Sequence, residues 1–284
     1  MGRDGVAVGK RVFGEGHWLR PQFVQFVACE RVLIQGVTLV DSPFWCVHPV
    51  YCRDVTVRGV SIRSTHVNSD GVDPDSCERV LVEGCDFDTG DDGVAVKAGR
   101  DQDGWRVGRP CRDVVVRDCR YSGTAGGGVA VGSEMSGGVE RVFVDGYRMN
   151  RVSHAVYLKS NGDRGGLVRD CHFRDLDIGS AKDVIVVTNA YKGRTDGPFP
   201  AAFSDISFSR IRCGQAEAAL SLVGDAREPI RGVRVSDVVV DRAQVPLRAR
   251  GLQGLSFESV AVNGTPLAPQ LATGAETFEG VRHF

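Results

Sequence analysis

Three aspartates have the residue type and spacing needed for acid–base chemistry. Asp70 opens the segment Asp70–Val72, and Asp91 and Asp92 open the segment Asp91–Val94. Like charges at close range raise at least one carboxyl pKa, which places a proton donor beside a charged acceptor. Hydrolysis of a glycosidic bond needs such a pair, because one carboxylic acid protonates the leaving oxygen while a carboxylate activates water. The alternative is that each Asp-Gly pair only forms a turn, but turns do not require several acids in one place.

The segments around these acids belong to a column of similar segments. Each has a variable first residue, a small residue and a valine: Trp45–Val47, Asp70–Val72, Asp92–Val94, Gly127–Val129 and His154–Val156. A second column lies five residues beyond the first residues of these segments and contains Asp75, Lys97, Gly132 and Lys159. Equivalent positions of a solenoid lie above one another. We therefore expect the first residues of the segments to form one ladder on one face, with Asp91 beside Asp92.

The chain repeats a short alternating strand, which indicates the fold that builds this ladder. A V-x-V pattern between polar turns recurs with anchors at positions 32, 55, 80, 114, 142, 166, 206, 233 and 255, and no helical period intervenes. Repeats of about 20–50 residues that contain only strands predict a parallel β-helix, because a rung buries its inward valines only when others stack on it. We expect an all-β, single-stranded solenoid of about nine rungs over residues 1–284, with its catalytic face at about 40–165. A β-propeller is disfavoured, since most steps are shorter than the roughly 40–45 residues of a blade.

Composition and charge agree with strands joined by glycine turns and disfavour several classes of partner. Glycine contributes 36 of the 284 residues, and the net charge is −1. This balance argues against a nucleic-acid-binding arm or a polybasic membrane patch. No apolar run reaches the roughly 18 residues of a membrane-spanning helix. We therefore expect neither nucleic acid nor a membrane as a partner.

The cysteines follow the repeat. There are nine, and none forms a C-x-x-C pair, which removes the usual zinc-ribbon and thioredoxin spacings. One phase of the repeat holds Cys29, Cys52, Cys77 and Cys111, and another holds Cys85 and Cys119. We expect these six to stack as small apolar side chains. Disulfides between rungs are the alternative.

The start of the chain predicts a missing cap. Repeats begin almost at once, and Phe23–Val27 has the pattern of a strand with nothing N-terminal to cover it. Solenoids normally end in a polar cap, because an open apolar edge invites pairing with another chain. We expect an N-terminal portion to be absent from this sequence. The sequence contains no signal peptide. Localisation therefore stays open between secreted or periplasmic, if the absent portion carried a signal, and cytoplasmic.

Four stretches of sequence, in order, resemble glycoside hydrolase family 28, the polygalacturonase family. They are Asn68–Ser76, Thr89–Lys97, Gly132–Gly138, and Leu158–Asn161 with Arg164–Gly166. Ser42–Trp45 and His48–Val50 resemble its bacterial members, and the likeness covers about residues 20–180. The resemblance implies a right-handed parallel β-helix that hydrolyses α-linked galacturonide bonds of pectic poly- or oligosaccharides with inversion. It implies no metal or other cofactor and leaves the oligomeric state open.

The resemblance also assigns roles to individual residues. It makes Asp91 the general acid and gives Asp70 and Asp92 the task of holding and activating the water. Lys159 would bind the substrate carboxylate. Asn68, in the first matched motif, is taken as a further substrate-binding residue.

Two positions depart from the family pattern. The family has a Gly-His-Gly segment whose histidine sits beside the catalytic acid, and that histidine falls on Gly126 or Gly127 here. The family arginine two residues before the lysine is replaced by Tyr157. Both lost groups face the leaving-group sugar in the family, so their absence questions polygalacturonate as the substrate more than glycoside hydrolysis. His154 and His66 are candidates for the missing histidine, although a lone histidine is more often structural.

Other residues near the ladder have a binding interpretation and a structural one. Tyr157 suits stacking on a sugar ring or covering a rung. Trp45, at the end of the ladder, suits a sugar platform or core packing. Lys97 lies in the column of Asp75, so it either binds a uronate carboxylate or forms a surface ion pair.

A calcium site is a weaker interpretation of the acids that follow Asp70. The spacing of Asp70, Asp73 and Asp75 suggests oxygen ligands, but no glutamate closes an EF-hand-like loop. We expect Asp73 and Asp75 to cap strand ends instead.

Three functions remain open when the residues and the resemblance are taken together. The leading one is an inverting glycosidase acting on galacturonic-acid-containing glycans. A pectate-lyase-like enzyme would instead need calcium carboxylates and form unsaturated products. A non-catalytic or degenerate relative that binds pectic oligosaccharides is suggested by Gly126, Gly127 and Tyr157.

Overall fold

A computed structural model describes residues 20–123 and 125–267 of the chain. The two ends of the predicted domain, residues 1–19 and 268–284, lie outside the described residues, as does residue 124. Within the described ranges no helix is long and apolar enough to cross a membrane.

Strands dominate the described residues. In chain order they are β1 Val24–Val27, β2 Glu30–Gln35, β3 Thr38–Val40, β4 Val47–Val50, β5 Arg53–Arg58, β6 Ser61–Ser64, β7 Glu78–Glu83, β8 Asp86–Thr89, β9 Val94–Val96, β10 Cys111–Arg117, β11 Arg120–Tyr121, β12 Gly127–Gly132, β13 Val139–Lys159, β14 Leu167–Thr188, β15 Ala202–Val223, β16 Ile230–Arg250, β17 Leu252–Val262 and β18 Thr265–Pro266. One α-helix, α1, spans Asp101–Val107, and a short 3-10 helix spans Tyr191–Gly193.

The strands stack in parallel, coil upon coil, as a β-helix. Pairing places one residue of each coil in a single column: Val32, Val55, Val80, Val114, Val142, Cys171, Ile206, Val233 and Leu255. The predicted solenoid and its nine rungs are confirmed in this part of the chain. One predicted anchor is wrong, because Cys171 occupies the column where position 166 was expected. Gly166 belongs to the turn that precedes β14, so the strand begins later than the sequence pattern suggested.

Alternation along the strands explains the core. In β5, Val55 and Val57 are fully buried while Arg53 and Arg58 at its ends are exposed, so every second residue in the middle of the strand points into the coil. Towards the C-terminus larger side chains take over, and the rings of Phe173 and Phe208 stack with centroids 5.4 Å apart. Each fully buried side chain of this size stabilises the fold by about 1.5–3 kcal/mol. The stacked coils therefore share one continuous apolar interior.

The cysteines are part of this interior. All nine are free thiols, and all except the half-buried Cys29 are buried. The Cys29 amide lies 3.4 Å from Cys52 Sγ, and the Cys52 amide lies 3.4 Å from Cys77 Sγ. The expected stacking of small apolar side chains is confirmed, and disulfides between rungs do not form.

An alternating ionic ladder marks one corner of the coils. The residue just before the column has a left-handed φ of +55° to +57° in the first five coils, and it alternates between arginine and aspartate: Arg31, Asp54, Arg79, Asp113 and Arg141. Arg79 lies 2.6 Å from Asp54, and Arg141 lies 2.6 Å from Asp113. Exposed pairs of this kind contribute only about 0–1 kcal/mol each. We therefore attribute the stability of the coil to its interior.

Two loops fold over the edge where β9 and β13 end. The loop at 132–138 is fixed to the segment after β9, since the amides of Ser136 and Gly137 donate to the carbonyls of Gly99 and Ala98 at 3.1 and 2.6 Å. The loop after β13 is held by Trp105 of α1, whose indole N–H donates to the Arg164 carbonyl at 2.8 Å. These loops cover the outer side of the predicted ladder.

Candidate active site

Backbone register brings the predicted ladder together. Val47 pairs with Val72 and Val72 with Val94, and the column continues through Val129 to Val156. In the second column, Asp75 pairs with Lys97, and Gly132 pairs with Lys159. Both predicted columns are confirmed, so neighbouring coils carry the acids on one face.

The three acids meet at the centre of this face. Asp70, Asp91 and Asp92 each offer a carboxylate oxygen, and these oxygens lie within 4.8 Å of one another. Asp70 and Asp92 are 3% and 1% exposed, whereas Asp91 is only half-buried. The acid that can meet solvent and a substrate oxygen is therefore Asp91.

Asp92 is the most tightly held of the three. Lys159 Nζ donates to its Oδ2 at 2.8 Å, and the Gly127 amide donates to its Oδ1 at 2.6 Å. Burial alone would lower the pKa of Lys159, but the neighbouring Asp92 raises it above its usual value, so the ammonium stays charged. A charge-assisted bond of this length orients the carboxylate and supplies its counter-ion.

Asp91 is held by lighter contacts. Asn68 Nδ2 lies 3.4 Å from Asp91 Oδ2, and the Asp92 amide donates to Asp91 Oδ1 at 3.0 Å. Asn68 is itself fixed by Arg20, which donates to its side-chain oxygen at 2.7 Å. Among the predicted binding residues, Asn68 thus reaches the candidate general acid directly.

Burial and mutual repulsion tune the acids. Burial is the main cause that raises the pKa of Asp70 to about 7, with Asp92 and Asp91 adding to it while Lys97 opposes. Burial and then Asp92 also raise the pKa of Asp91 above its ordinary value. A raised pKa favours the protonated form of this half-buried acid, which is the form that a general acid needs.

Lys97 differs from its predicted surface ion pair. It is only 3% exposed, and its ammonium lies 3.5 Å from Asp73 Oδ1, 3.8 Å from Asp70 Oδ2 and 3.4 Å from Glu134 Oε2. Of its two interpretations, the surface ion pair is wrong, because Glu134 of the loop at 132–138 lies against the buried ammonium. Binding of a uronate carboxylate by Lys97 stays a prediction.

Asp73 also differs from its predicted role. It is completely buried beside Asp70 and Lys97, so it does not cap a strand end. Asp75 does act as a cap, because its Oδ1 accepts the Gly99 amide at 2.9 Å. Residues two apart in a strand lie on the same side of it. The sequence therefore predicted the same role for Asp73 and Asp75.

Glu134 and Arg164 continue a network of ion pairs from Lys97 to helix α1. Glu134 accepts from Ser133 Oγ at 3.1 Å, and its Oε1 lies 3.5 Å from Arg164. Burial opposes ionisation of Glu134, but Lys97, a backbone amide and Arg164 lower its pKa to about 2. Arg164 in turn lies 2.7 Å from Asp101 of α1. Both residues lie in motifs that carried the family resemblance, but their sequence context gave no signal of this network.

The glycines that replace the family histidine are not equivalent. A Cβ at Gly126 would lie 2.4 Å from the Asp92 amide, and its φ is +75°. At Gly127 a Cβ would lie 3.2 Å from Tyr157 Cβ and 3.3 Å from Asp92 Oδ1. Only position 127 can carry a side chain without displacing backbone, so the missing histidine corresponds to Gly127.

An aromatic group lies on the C-terminal side of the acids. The Tyr157 ring is 4.2 Å from the His154 ring and 6.0 Å from the Tyr191 ring, and Lys159 Nζ lies 4.6 Å from its centroid. His154 Nδ1 lies 3.3 Å from Asp183 Oδ2. Tyr191 was missed by the sequence reasoning, because it lies in a short 3-10 helix outside the repeated pattern.

The remaining candidates flank the acids. Trp45 covers Lys97, whose Nζ is 4.3 Å from the indole ring, and it stacks on Phe44 with centroids 4.8 Å apart. His66 lies 3.7 Å from Asp41, so its contact is away from the three acids. Trp45 therefore borders the site on its N-terminal side and Tyr157 on its C-terminal side.

The acids are also the set to consider for a metal ion. In the described ranges, Asp70, Asp91 and Asp92 are the group whose donor atoms come close enough to hold one. Carboxylate oxygens suit Ca²⁺ or Mg²⁺. However, Lys159 lies 2.8 Å from Asp92 and Lys97 lies 3.8 Å from Asp70, so positive charge is already provided. The donor set therefore favours acid–base chemistry.

Comparison with known sequences agrees with this arrangement. The family model described as Glycosyl hydrolases family 28 matches residues 12–250. A probable polygalacturonase of Vitis vinifera is 31% identical over 253 residues, which cover 86% of this chain and 52% of the relative. An endo-polygalacturonase of Pectobacterium parmentieri is 27% identical over 215 residues, or 74% of this chain and 50% of the relative. The chain thus spans about half the length of these curated relatives.

Solved structures give the same picture. A hyperthermoactive exopolygalacturonase from Thermotoga maritima superposes with a TM-score of 0.78 and 35% identity, over 93% of this chain and 60% of that one. A polygalacturonase from Erwinia carotovora ssp. carotovora has a TM-score of 0.66 and 24% identity, over 85% of this chain and 60% of that one, and supports the fold alone.

Proposed function

This chain belongs to glycosyl hydrolase family 28, and we propose that it hydrolyses galacturonic-acid-containing linkages of pectin by acid–base catalysis with inversion. The observation that carries the proposal is the meeting of three carboxylate oxygens within 4.8 Å beside the Lys159 ammonium. Membership of the family makes the chain a glycosidase. The substrate follows from the names of its relatives, which are polygalacturonases.

The exposure of the acids supports their division of labour. Asp91 is half-buried with a raised pKa, so it can protonate the leaving oxygen as the C1–O bond breaks. Asp70 and Asp92 lie deeper and together hold the water, which attacks C1 and gives its proton to the ionised Asp70. The water oxygen becomes the new hydroxyl at C1, and the leaving sugar keeps the proton from Asp91. After turnover Asp91 is ionised and Asp70 is protonated, and proton exchange with solvent restores both acids.

Inversion needs a particular placement of the water. Inverting glycosidases usually have their two carboxyl groups about 6.5–9.5 Å apart, and retaining ones about 5–5.5 Å. The three carboxylates here are closer, with oxygens within 4.8 Å. We propose that two acids acting together, Asp70 and Asp92, hold the water on the face of the sugar opposite to the leaving group.

Cations and rings beside the acids would position the sugars. Lys159, which is 7% exposed, is the nearest ammonium to Asp92 and is the proposed partner of a uronate carboxylate. Tyr157 and Trp45 would contact sugar rings on the two sides of the acids. His154 lies beside Tyr157 and is assigned to binding, because its imidazole faces Asp183.

A pectic oligosaccharide panel tests the proposal. Oligogalacturonides and galacturonate-rhamnose oligomers are incubated with the protein, with Asp91→Asn and with Asp75→Asn as a control acid on the neighbouring column. We expect new reducing ends without unsaturated, ultraviolet-absorbing products from the protein and from Asp75→Asn, and none from Asp91→Asn. Unsaturated products, or equal turnover by Asp91→Asn, would contradict the proposal.

A second function is a pectic-oligosaccharide-binding protein without turnover. The observation that favours it is the missing side chain at Gly127, where a Cβ would lie 3.3 Å from Asp92 Oδ1. Gly127 therefore offers no side chain that could polarise the oxygen of the leaving sugar. Tight binding on the same panel, with no new reducing ends from any oligosaccharide, would select this function.

A further inference from the structure

Asp73 is a completely buried acid that the proposed reaction does not use. It is 0% exposed, and neither of its carboxyl oxygens meets a hydrogen-bond donor among the described residues. Asp70 Oδ1 is likewise without a donor. An ionised carboxylate in this position is costly, because it has lost its bonds to water without gaining a hydrogen bond from the protein.

One ammonium faces both acids. Lys97 Nζ lies 3.5 Å from Asp73 and 3.8 Å from Asp70. It is shared further with Glu134 at 3.4 Å, and the Trp45 ring 4.3 Å away limits its movement. The single Lys97 ammonium cannot neutralise two ionised carboxylates that are both almost completely buried.

A shared proton resolves this imbalance. Asp70 and Asp73 are both buried and both face the Lys97 ammonium, so their carboxyl groups compete for one positive charge. Two carboxyl groups can form a hydrogen bond only when one of them carries the proton. Of the two, Asp73 is the deeper and lies farther from the substrate side, so it is the natural proton holder.

We propose that Asp73 keeps its proton and donates a hydrogen bond to Asp70, and so acts as a positioning residue for the water-activating acid. The proposal rests on the proposed function for its kinetic consequence, but not for the protonation itself. A donor beside Asp70 favours its ionised form and fixes which oxygen faces the water. Lys97 supplies the single positive charge that the pair then needs.

Other titratable groups around the pair are compatible with this assignment. Asp91, Asp92 and Lys159 face Asp70 from the neighbouring coils, Glu134 faces Lys97 from the loop at 132–138, and Cys46 and Tyr121 lie in the same surroundings. Burial and then Asp70 raise the pKa of Asp73 well above its ordinary value. Both causes act in the direction of a protonated Asp73.

Infrared difference spectroscopy tests the shared proton without turnover. Spectra of the protein, Asp73→Asn and the matched control Asp75→Asn are recorded at pH 8, above the pKa of about 7 of Asp70. We expect Asp73→Asn to lose a protonated-carboxyl band that the control Asp75→Asn retains. Loss of carboxylate bands in Asp73→Asn would overturn the proposal.

The pH profile of kcat/KM tests the positioning role. Asp70 must be ionised to activate water, so its protonation sets the acidic limb. Asp73→Ala removes the hydrogen-bond donor to Asp70, and we expect the acidic limb of the kcat/KM profile to shift to a higher pH by about one unit. Activity on the limb then falls about tenfold, the size expected for losing a hydrogen bond to a charged group. Asp73→Asn, which still donates through its amide, should return the limb to its original pH.

The two experiments separate the possible failures. An unmoved limb in Asp73→Ala, or equal losses in both variants at every pH, would mean a merely structural role and overturn the proposal. If Asp73→Ala does not fold, the infrared comparison with Asp73→Asn decides. Absence of turnover by the wild-type protein would contradict the proposed function alone, and the infrared result would still decide where the proton lies.

Discussion

Replacing Asp70 by asparagine should stabilise the protein at alkaline pH while removing its activity. In the folded state Asp70 is 3% exposed and its pKa is raised from 3.8 to about 7, mainly by burial. Above pH 7 the folded protein therefore carries a buried charge that the unfolded chain holds in water. Asparagine has nearly the same shape and carries no charge.

The magnitude follows from the shift. A shift of about three pKa units corresponds to about 4 kcal/mol, since one unit is about 1.4 kcal/mol. This is a ceiling, because Lys97 loses one of its partners in the variant and the remaining acids readjust. We expect a gain on the order of 2 kcal/mol in the free energy of unfolding at pH 8.

The pH dependence distinguishes this cause from a change in packing. Between the unfolded pKa and the folded pKa, the folded protein binds more protons than the unfolded chain, so wild-type stability falls as pH rises. Well below pH 3.8 Asp70 is protonated in both states, so the advantage of Asp70→Asn should disappear there and should already be small at pH 4. Urea unfolding of the protein, Asp70→Asn and the control Asp75→Asn at pH 4, 6 and 8 measures this. A pH-independent difference, or a less stable variant at pH 8, would refute the reasoning.

Three further predictions follow from the site. Asp91→Asn should lower kcat by about 10²- to 10⁴-fold, the usual contribution of a general acid; reducing-end assays on the active substrate check this, and a near-wild-type rate would contradict it. Because Asp91 must be protonated and its pKa is raised, kcat/KM should decline on the alkaline side as this acid ionises, and a profile flat through pH 9 would count against it. Gly126→Ala should destabilise the protein by about 1–3 kcal/mol through overpacking, while Gly127→Ala should cost less than about 1 kcal/mol; thermal unfolding compares the two, and equal losses would refute the placement of the missing histidine.

The repeated strands and the meeting of the acids were predictable from the sequence. Residues such as Val55 and Val80 recur at a spacing that only stacked coils satisfy, and stacking then dictates which segments become neighbours. The meeting of the acids follows from that register, because Asp70 and Asp92 lie at the same place in neighbouring coils and Asp91 is next to Asp92. The alternation within each strand and the stacking of the coils predict the same neighbours, so the sequence pattern is enough to bring the acids together.

The environment of Lys97 and Asp73 was not predictable in the same way. Alternation along a strand tells which residues leave the coil, but it does not tell whether a loop covers them. The loop at 132–138 lies against this side, so Lys97 is buried and the alternative of a surface ion pair is excluded. The contact between Glu134 and Lys97, 3.4 Å apart, depends on that loop and has no counterpart in the sequence spacing.

The misplaced anchor has a similar cause. Position 166 fits the strand pattern, yet the column residue is Cys171, because the turn that ends at Gly166 lies between β13 and β14. Turns of variable length shift a register that is otherwise set by hydrophobic alternation. Tyr191 was missed for the same reason, since it lies in an insertion between strands.

The stereochemistry of hydrolysis tests the central assignment most directly. Proton NMR of the first products formed from an α-linked galacturonide substrate, recorded before mutarotation, identifies their anomeric configuration. With Asp91 protonating the leaving oxygen and water held by Asp70 and Asp92, the first product should be the β-anomer. An initial α-anomer would contradict the account, because one of the acids would then have bonded to the sugar.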